Sequence, residues 1–164
     1  MITLHHLEYS QSFRILWLLE ELEVEYEIKH YERDPDTNRA PDELRAIHPL
    51  GKSPVIENGD DIVAETGAII VYILDKYGKG KLRPERDAPE YLDYVHFLHF
   101  AEGSAMLPLL LALYTGFLGE AAAPIQPMIL NPAPARVWQA APPWWLISAC
   151  PAPARACSKR CRCG

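Results

Sequence analysis

Apolar and polar positions change period several times along the first eighty residues. Residues 2–6 (Ile-Thr-Leu-His-His) read as a short strand that ends near Glu8. Ser10 then precedes SFRILWLLEELEV, where Phe13, Leu16, Trp17, Leu19 and Leu22 recur at helical spacing. Ser10 or Ser12 can cap this helix, because a hydroxyl there satisfies an orphan amide of the first turn. Val24, Tyr26 and Ile28 next alternate with Glu25, Glu27 and Lys29, the period of two of a strand. DPDTNRAPDELRAI reads as a loop with a short irregular helix. Val55-Ile56 and Ile62-Val63 flank Asn58-Gly59, a strong hairpin signal. Thr66 to Tyr77 forms a second helix, with Ile69, Ile70, Ile73, Leu74 and Tyr77 on its apolar side and Gly78 at its end.

Strands alternating with helices predict a parallel β-α-β unit, and the hairpin adds an antiparallel pair. This is the element order of a thioredoxin-like α/β domain, assigned to residues 1–78. Residues 78–88 form a charged linker containing Gly and Pro. From Pro89 the pattern is all-helical, with Tyr91, Leu92, Val95, Leu98 and Phe100 leading into an apolar segment that runs to Leu118. Pro108 is expected to kink or interrupt it. The second region is 89–130, an incomplete all-α domain, and 131–164 is a tail of different character.

Charge sharpens that division. The chain has 164 residues, 16 Lys+Arg, 22 Asp+Glu and a formal net charge of −6. Every acidic side chain precedes residue 131, with 11 of the basic ones, so that part carries −11. The last 34 residues hold five basic side chains, no acid, six prolines, three tryptophans and all four cysteines. An acidic chain lacks the electrostatic footprint for nucleic acid. The longest apolar stretch, AMLPLLLALYTGFLG, falls short of the roughly 18 residues a membrane span needs. The start has neither a basic nor an apolar leader region. These features predict a soluble cytoplasmic protein with neither nucleic-acid nor membrane partners.

A thioredoxin-like order invites a search for a redox dithiol, yet residues 1–130 contain no cysteine. Sulfur chemistry there requires a ligand that brings the sulfur. LEYSQSFRILWLLEEL, HPLGKSPVI and ETGAIIVYILDKYG, in this order and spacing, resemble the N-terminal domain of the cytosolic glutathione S-transferases. The resemblance covers about residues 1–118, and its style is that of bacterial members with a serine-type site.

That resemblance implies glutathione as co-substrate, a homodimer, and conjugation of the glutathione thiolate to a hydrophobic electrophile. It implies a cis bond at Pro54, which proline holds at low cost, and pairing of the Val55 backbone with the peptide through an unpaired edge amide. Glu65 and Thr66 would hold the γ-glutamyl end at a helix start, carboxylate to ammonium and hydroxyl with helix amides to carboxylate. Lys52 and His48 would lie near the glycine carboxylate. Ser10-Gln11-x-x-Arg14 resembles the serine-type segment, so Ser10 is the residue expected to hold the thiolate, with Tyr9 and Ser12 as competing hydroxyls. Met106, Leu107, Leu110 and Tyr114 could line the electrophile's pocket or simply pack. His96, His99 and Glu102 share a helix face but lack a fourth ligand, and no metal is expected.

The tail departs from this family. It has no aspartate for the capping motif of later helices, and its composition resembles a GC-rich gene read out of frame. A metal or disulfide role for Cys150, Cys157, Cys161 and Cys163 is the alternative, although the spacing fits no standard zinc pattern. Two other functions stay open: a non-catalytic binding module resembling the starvation-response or translation-factor relatives, and a glutathione-dependent isomerase or peroxidase.

Overall fold

The computed structural model describes residues 1–125, 127 and 162–163. Two compact units divide between Arg83 and Pro84, inside the charged linker. The first unit is thioredoxin-like. Its elements are β1 (Ile2–Leu7), α1 (Ser12–Glu21), β2 (Tyr26–Tyr31), α2 (Glu43–Ile47), β3 (Val55–Asn58), β4 (Asp61–Ala64) and α3 (Thr66–Tyr77).

β1 and β2 run parallel, with Ile2 opposite Tyr26 and Leu7 opposite Tyr31, and α1 is their crossover. β3 returns antiparallel to β1, and β4 pairs antiparallel with β3, giving the order β4-β3-β1-β2. A two-residue strand β5 (Arg162–Cys163) runs parallel to Glu27 and Ile28 at the β2 edge. The predicted character of the rest of the tail, including its cysteine chemistry and its reading-frame origin, lies outside the described residues.

Helix α1 packs on β1 and on α3. Its buried apolar residues are Ile15, Leu16, Leu18 and Leu19, followed by Leu22 at its C-cap, a wider stripe than the sequence predicts, whereas Phe13 and Trp17 are half-buried. Ile69, Ile70, Ile73 and Leu74 of α3 are buried as its period predicts. Leu44 of α2 forms a separate cluster with Leu7 and Tyr31.

The structure corrects several local expectations. The hairpin loop is Gly59-Asp60, since Asn58 pairs with Asp61, and Gly59 takes the left-handed conformation at φ 64°. Asn58 ends β3 and donates from its side-chain amide to the hydroxyls of Tyr72 (3.0 Å) and Tyr77 (2.7 Å). Gly78 caps α3 in a right-handed conformation, φ −67°, and the left-handed turn falls at Lys79 and Gly80. Gln11, rather than a serine, occupies the N-cap of α1; Ser10 Oγ nevertheless accepts the N–H of Ser12 at 3.3 Å. Finally, β3 lies inside the sheet, with Val55 opposite both His5 and Ala64. Val55 is therefore not at a sheet edge. It opens at the strand's end, beside Pro54.

In the second unit α4 (Tyr91–Phe100) continues through a π-helical segment, Ala101–Met106, into α5 (Leu107–Gly116) and a short 3-10 turn at Gly119–Ala122. Pro108 does not break the run. It sits in the first turn of α5, where its missing N–H costs least, and the wider π segment precedes it. The result is one helical run, Tyr91–Gly116, of 26 residues and mean hydropathy 1.4 over its most apolar window. By length and composition this run could cross a membrane, which the broken apolar stretch in the sequence does not suggest. Leu92, Leu107, Leu109, Leu113, Tyr114, Phe117 and Leu118 are all exposed along it or just beyond.

Candidate functional site

Three short segments meet at the end of β1. The first is the β1–α1 turn, where Tyr9 adopts φ 52°. That left-handed residue turns the Tyr9 ring outward, 89% exposed, while its carbonyl accepts a hydrogen bond from Arg33 Nη2 at 3.2 Å. Of the three hydroxyls, Tyr9 thus points to solvent and Ser12 is fully buried, with only Ser10 half-exposed.

The second segment is the β3 entry, where the Ser53–Pro54 peptide is cis. Ser53 Oγ donates to the carbonyl of His5 at 2.8 Å, and Ser10 Oγ donates to Ser53 Oγ at 3.2 Å. The sequence-predicted Ser10 and Pro54 are therefore neighbours through Ser53, a residue that sequence reasoning missed. Only the pairing of β1 with β3 brings it there.

The third segment is the start of α3. Glu65 precedes the helix at φ 71°, ψ 122°, a conformation non-glycine residues adopt at a cost of about 1–3 kcal/mol. Its carboxylate is exposed and has no ion-pair partner among the described residues. Thr66 is the first helical residue rather than the cap. Its hydroxyl donates to Gln11 Oε1 at 2.6 Å, tying the starts of α1 and α3 together. Gln11 is the second missed residue; its place in Ser10-Gln11-x-x-Arg14 is the only signal in the sequence.

His48 is half-buried after α2, with Nδ1 accepting the N–H of Leu50 at 3.4 Å. Lys52 is exposed and, among the described residues, pairs with no carboxylate. The rim of the β3 entry thus carries one free cation, and the start of α3 one free anion.

Beneath these segments lie two buried histidines of β1. His6 Nδ1 is 2.8 Å from Ser12 Oγ, which is 2.7 Å from Ser10 Oγ. Its ring meets Phe13 edge-on at 4.6 Å and lies 5.5 Å from His30. His5 Nε2 lies 3.0 Å from Glu57 Oε2, and Nδ1 lies 2.8 Å from Tyr31 Oη. A carboxylate can only accept, so these partners place the His5 proton on Nε2 and make Nδ1 the acceptor of the tyrosine O–H. Burial holds both imidazoles below their ordinary value of 6.5. For His5, Glu57 opposes the shift and Lys29 adds to it; for His6, His30 adds to it and Glu8 opposes.

In the second unit His96 and His99 are exposed and Glu102 is half-buried; the His96 ring stacks on Phe100 at 6.1 Å. Among the described residues no three His, Cys, Asp or Glu side chains cluster as a metal site. Met106 and Leu110 are half-buried, whereas Leu107 and Tyr114 are exposed.

Comparison with known proteins places the fold among described relatives. Residues 1–75 match the family model of the glutathione S-transferase N-terminal domain. Glutathione S-transferase 1 of Saccharomyces cerevisiae is 40% identical over 117 residues, covering 68% of this chain and 50% of the relative. A glutathione S-transferase structure from Actinobacillus pleuropneumoniae superposes with a TM-score of 0.72 at 39% identity, covering 85% of this chain and 64% of that one. A glutathione transferase homologue from Lodderomyces elongisporus, solved with two glutathione molecules per subunit, shares the fold at a TM-score of 0.69 and 21% identity, with coverage of 85% and 67%. The chain spans about half the length of the curated relatives it matches. With a thioredoxin-like domain matched along its length and followed by a helical region, this chain belongs to the cytosolic glutathione S-transferase family.

Proposed function

We propose that the chain binds glutathione across the meeting point of α1, β3 and α3 and conjugates its thiolate to an electrophilic small molecule. The observation that carries this reading is the contact of Ser10 with Ser53 at 3.2 Å, which sets a half-exposed hydroxyl beside the cis Pro54 and the open end of β3. The Ser10 hydroxyl holds S⁻ by donating to it in place of the long bond to Ser53. A hydrogen bond to a charged group contributes about 1.5–3 kcal/mol, and the α1 dipole about 0.3–1 kcal/mol. Together they lower a thiol pKa by roughly one to three units.

The charge pattern fits the rest of a tripeptide. Glu65 meets the α-ammonium of the γ-glutamyl group, and Lys52, with His48 nearby, meets the glycine carboxylate. Val55 offers its backbone to the cysteinyl residue. Because the Thr66 hydroxyl already donates to Gln11, the first N–H groups of α3 hold the γ-glutamyl carboxylate instead. The electrophile is a hydrophobic small molecule, and the chain works as a cytoplasmic homodimer of the family's kind. Retention on immobilised glutathione, followed by turnover of a chloro-nitrobenzene, tests the proposal. No retention refutes it; retention without turnover leaves a non-catalytic glutathione binder.

A further inference from the structure

Each serine hydroxyl has one proton, and that limit decides which way the chain from His6 to Ser10 runs. Ser53 has committed its proton to the His5 carbonyl at 2.8 Å, so toward Ser10 it can only accept. The N–H of Ser12 occupies one lone pair of Ser10 Oγ at 3.3 Å. If the short 2.7 Å contact has Ser12 donating to Ser10, the second lone pair is filled as well, and the Ser10 proton is left for Ser53 at 3.2 Å, a long bond at the β3 entry that a thiolate there can replace. Ser12 has then spent its proton, and its 2.8 Å contact with His6 Nδ1 requires the histidine to donate. The opposite polarity, with Ser12 donating to a bare Nδ1, draws the Ser10 proton inward to Ser12. Among the described residues the other acceptor for Ser12 is the Leu7 carbonyl, a longer 3.4 Å away.

We propose that His6, as an Nδ1–H donor, is a positioning residue that, through Ser12, keeps the Ser10 proton on the side of Ser53 and the β3 entry, where a thiolate can take it. This rests on the glutathione reading above for its ligand, a thiolate, but the polarity itself is a property of the free protein. Burial, with the Phe13 ring edge-on against it, supports a neutral imidazole; His30 adds to that effect, and Glu8, which lies 3.6 Å from His30, opposes it. A protonated imidazole also donates from Nδ1, so acid does not reverse the chain.

Nitrogen-15 spectra of the unaltered, full-length chain without ligand should show the His6 proton on Nδ1. An Nε2–H tautomer overturns the proposal. With glutathione bound, the thiolate ultraviolet absorbance should titrate about half a unit to one unit higher in His6→Leu. His6→Asn, whose amide N–H can stand where Nδ1–H stood, should restore the original titration, with glutathione affinity within about threefold throughout. Failure of the unaltered chain to retain glutathione overturns the glutathione reading and this ligand arm together. Retention with an unshifted thiol in His6→Leu overturns this inference alone.

Discussion

Ser10 is half-exposed between a buried Ser12 and a solvent-facing Tyr9, and this difference in exposure separates three hydroxyls that the sequence places within four residues. Ser10→Ala should lower kcat/KM by about 10- to 100-fold, the loss of one hydrogen bond to a charged sulfur; conjugation kinetics measure it, and Tyr9→Phe should leave the rate unchanged. His5 and His6 carry a second prediction. Both are held neutral by burial, so below about pH 6.5 the unfolded chain binds protons that the folded chain refuses. Stability is therefore complete above that value and falls as the pH drops toward the lowered folded-state values. Urea midpoints between pH 8 and pH 5 should decline, and His6→Asn should flatten the decline. Both histidines are visible in the sequence only as part of a strand, since a polar residue there signals neither its burial nor its partner.

At the scale of elements, helix and strand periods located α1, β2, α3 and the hairpin, because those elements bury one face against the sheet. Their termini were less legible. Ends are decided by contacts distant in sequence, as when Asn58 leaves the turn to bridge Tyr72 and Tyr77 of α3. Thr66 behaves in the same way: it resembles a cap, yet its hydroxyl ties α3 to Gln11 across 55 residues. Thr66→Val should cost about 1–2 kcal/mol, through loss of that donor to Gln11, read as a lower denaturant midpoint at unchanged slope. Pro108 teaches a related lesson. A proline breaks a helix interior, but in the first turn after a π segment it is accommodated.

At the scale of the molecule, the helical unit exposes Leu109, Leu113, Phe117 and Leu118 within one short stretch. Apolar surface of that extent drives association in water. Sedimentation velocity should show concentration-dependent self-association, and the pair Leu113→Lys with Phe117→Glu should abolish it while leaving glutathione retention by the first unit intact. The acidic net charge of −11 before residue 131 does not oppose this, because the stretch from Met106 to Gly119 carries no charge at all.

The sequence alone determined the element order, the absence of a reactive protein sulfur in the first 130 residues, and which positions carry charge, because these follow from residue type and local period. Only the tertiary structure decided that Ser10 meets Ser53, that Gln11 meets Thr66, and that β3 lies inside the sheet. These are pairings between segments some 40 to 55 residues apart, and strand register, which no local pattern encodes, sets them.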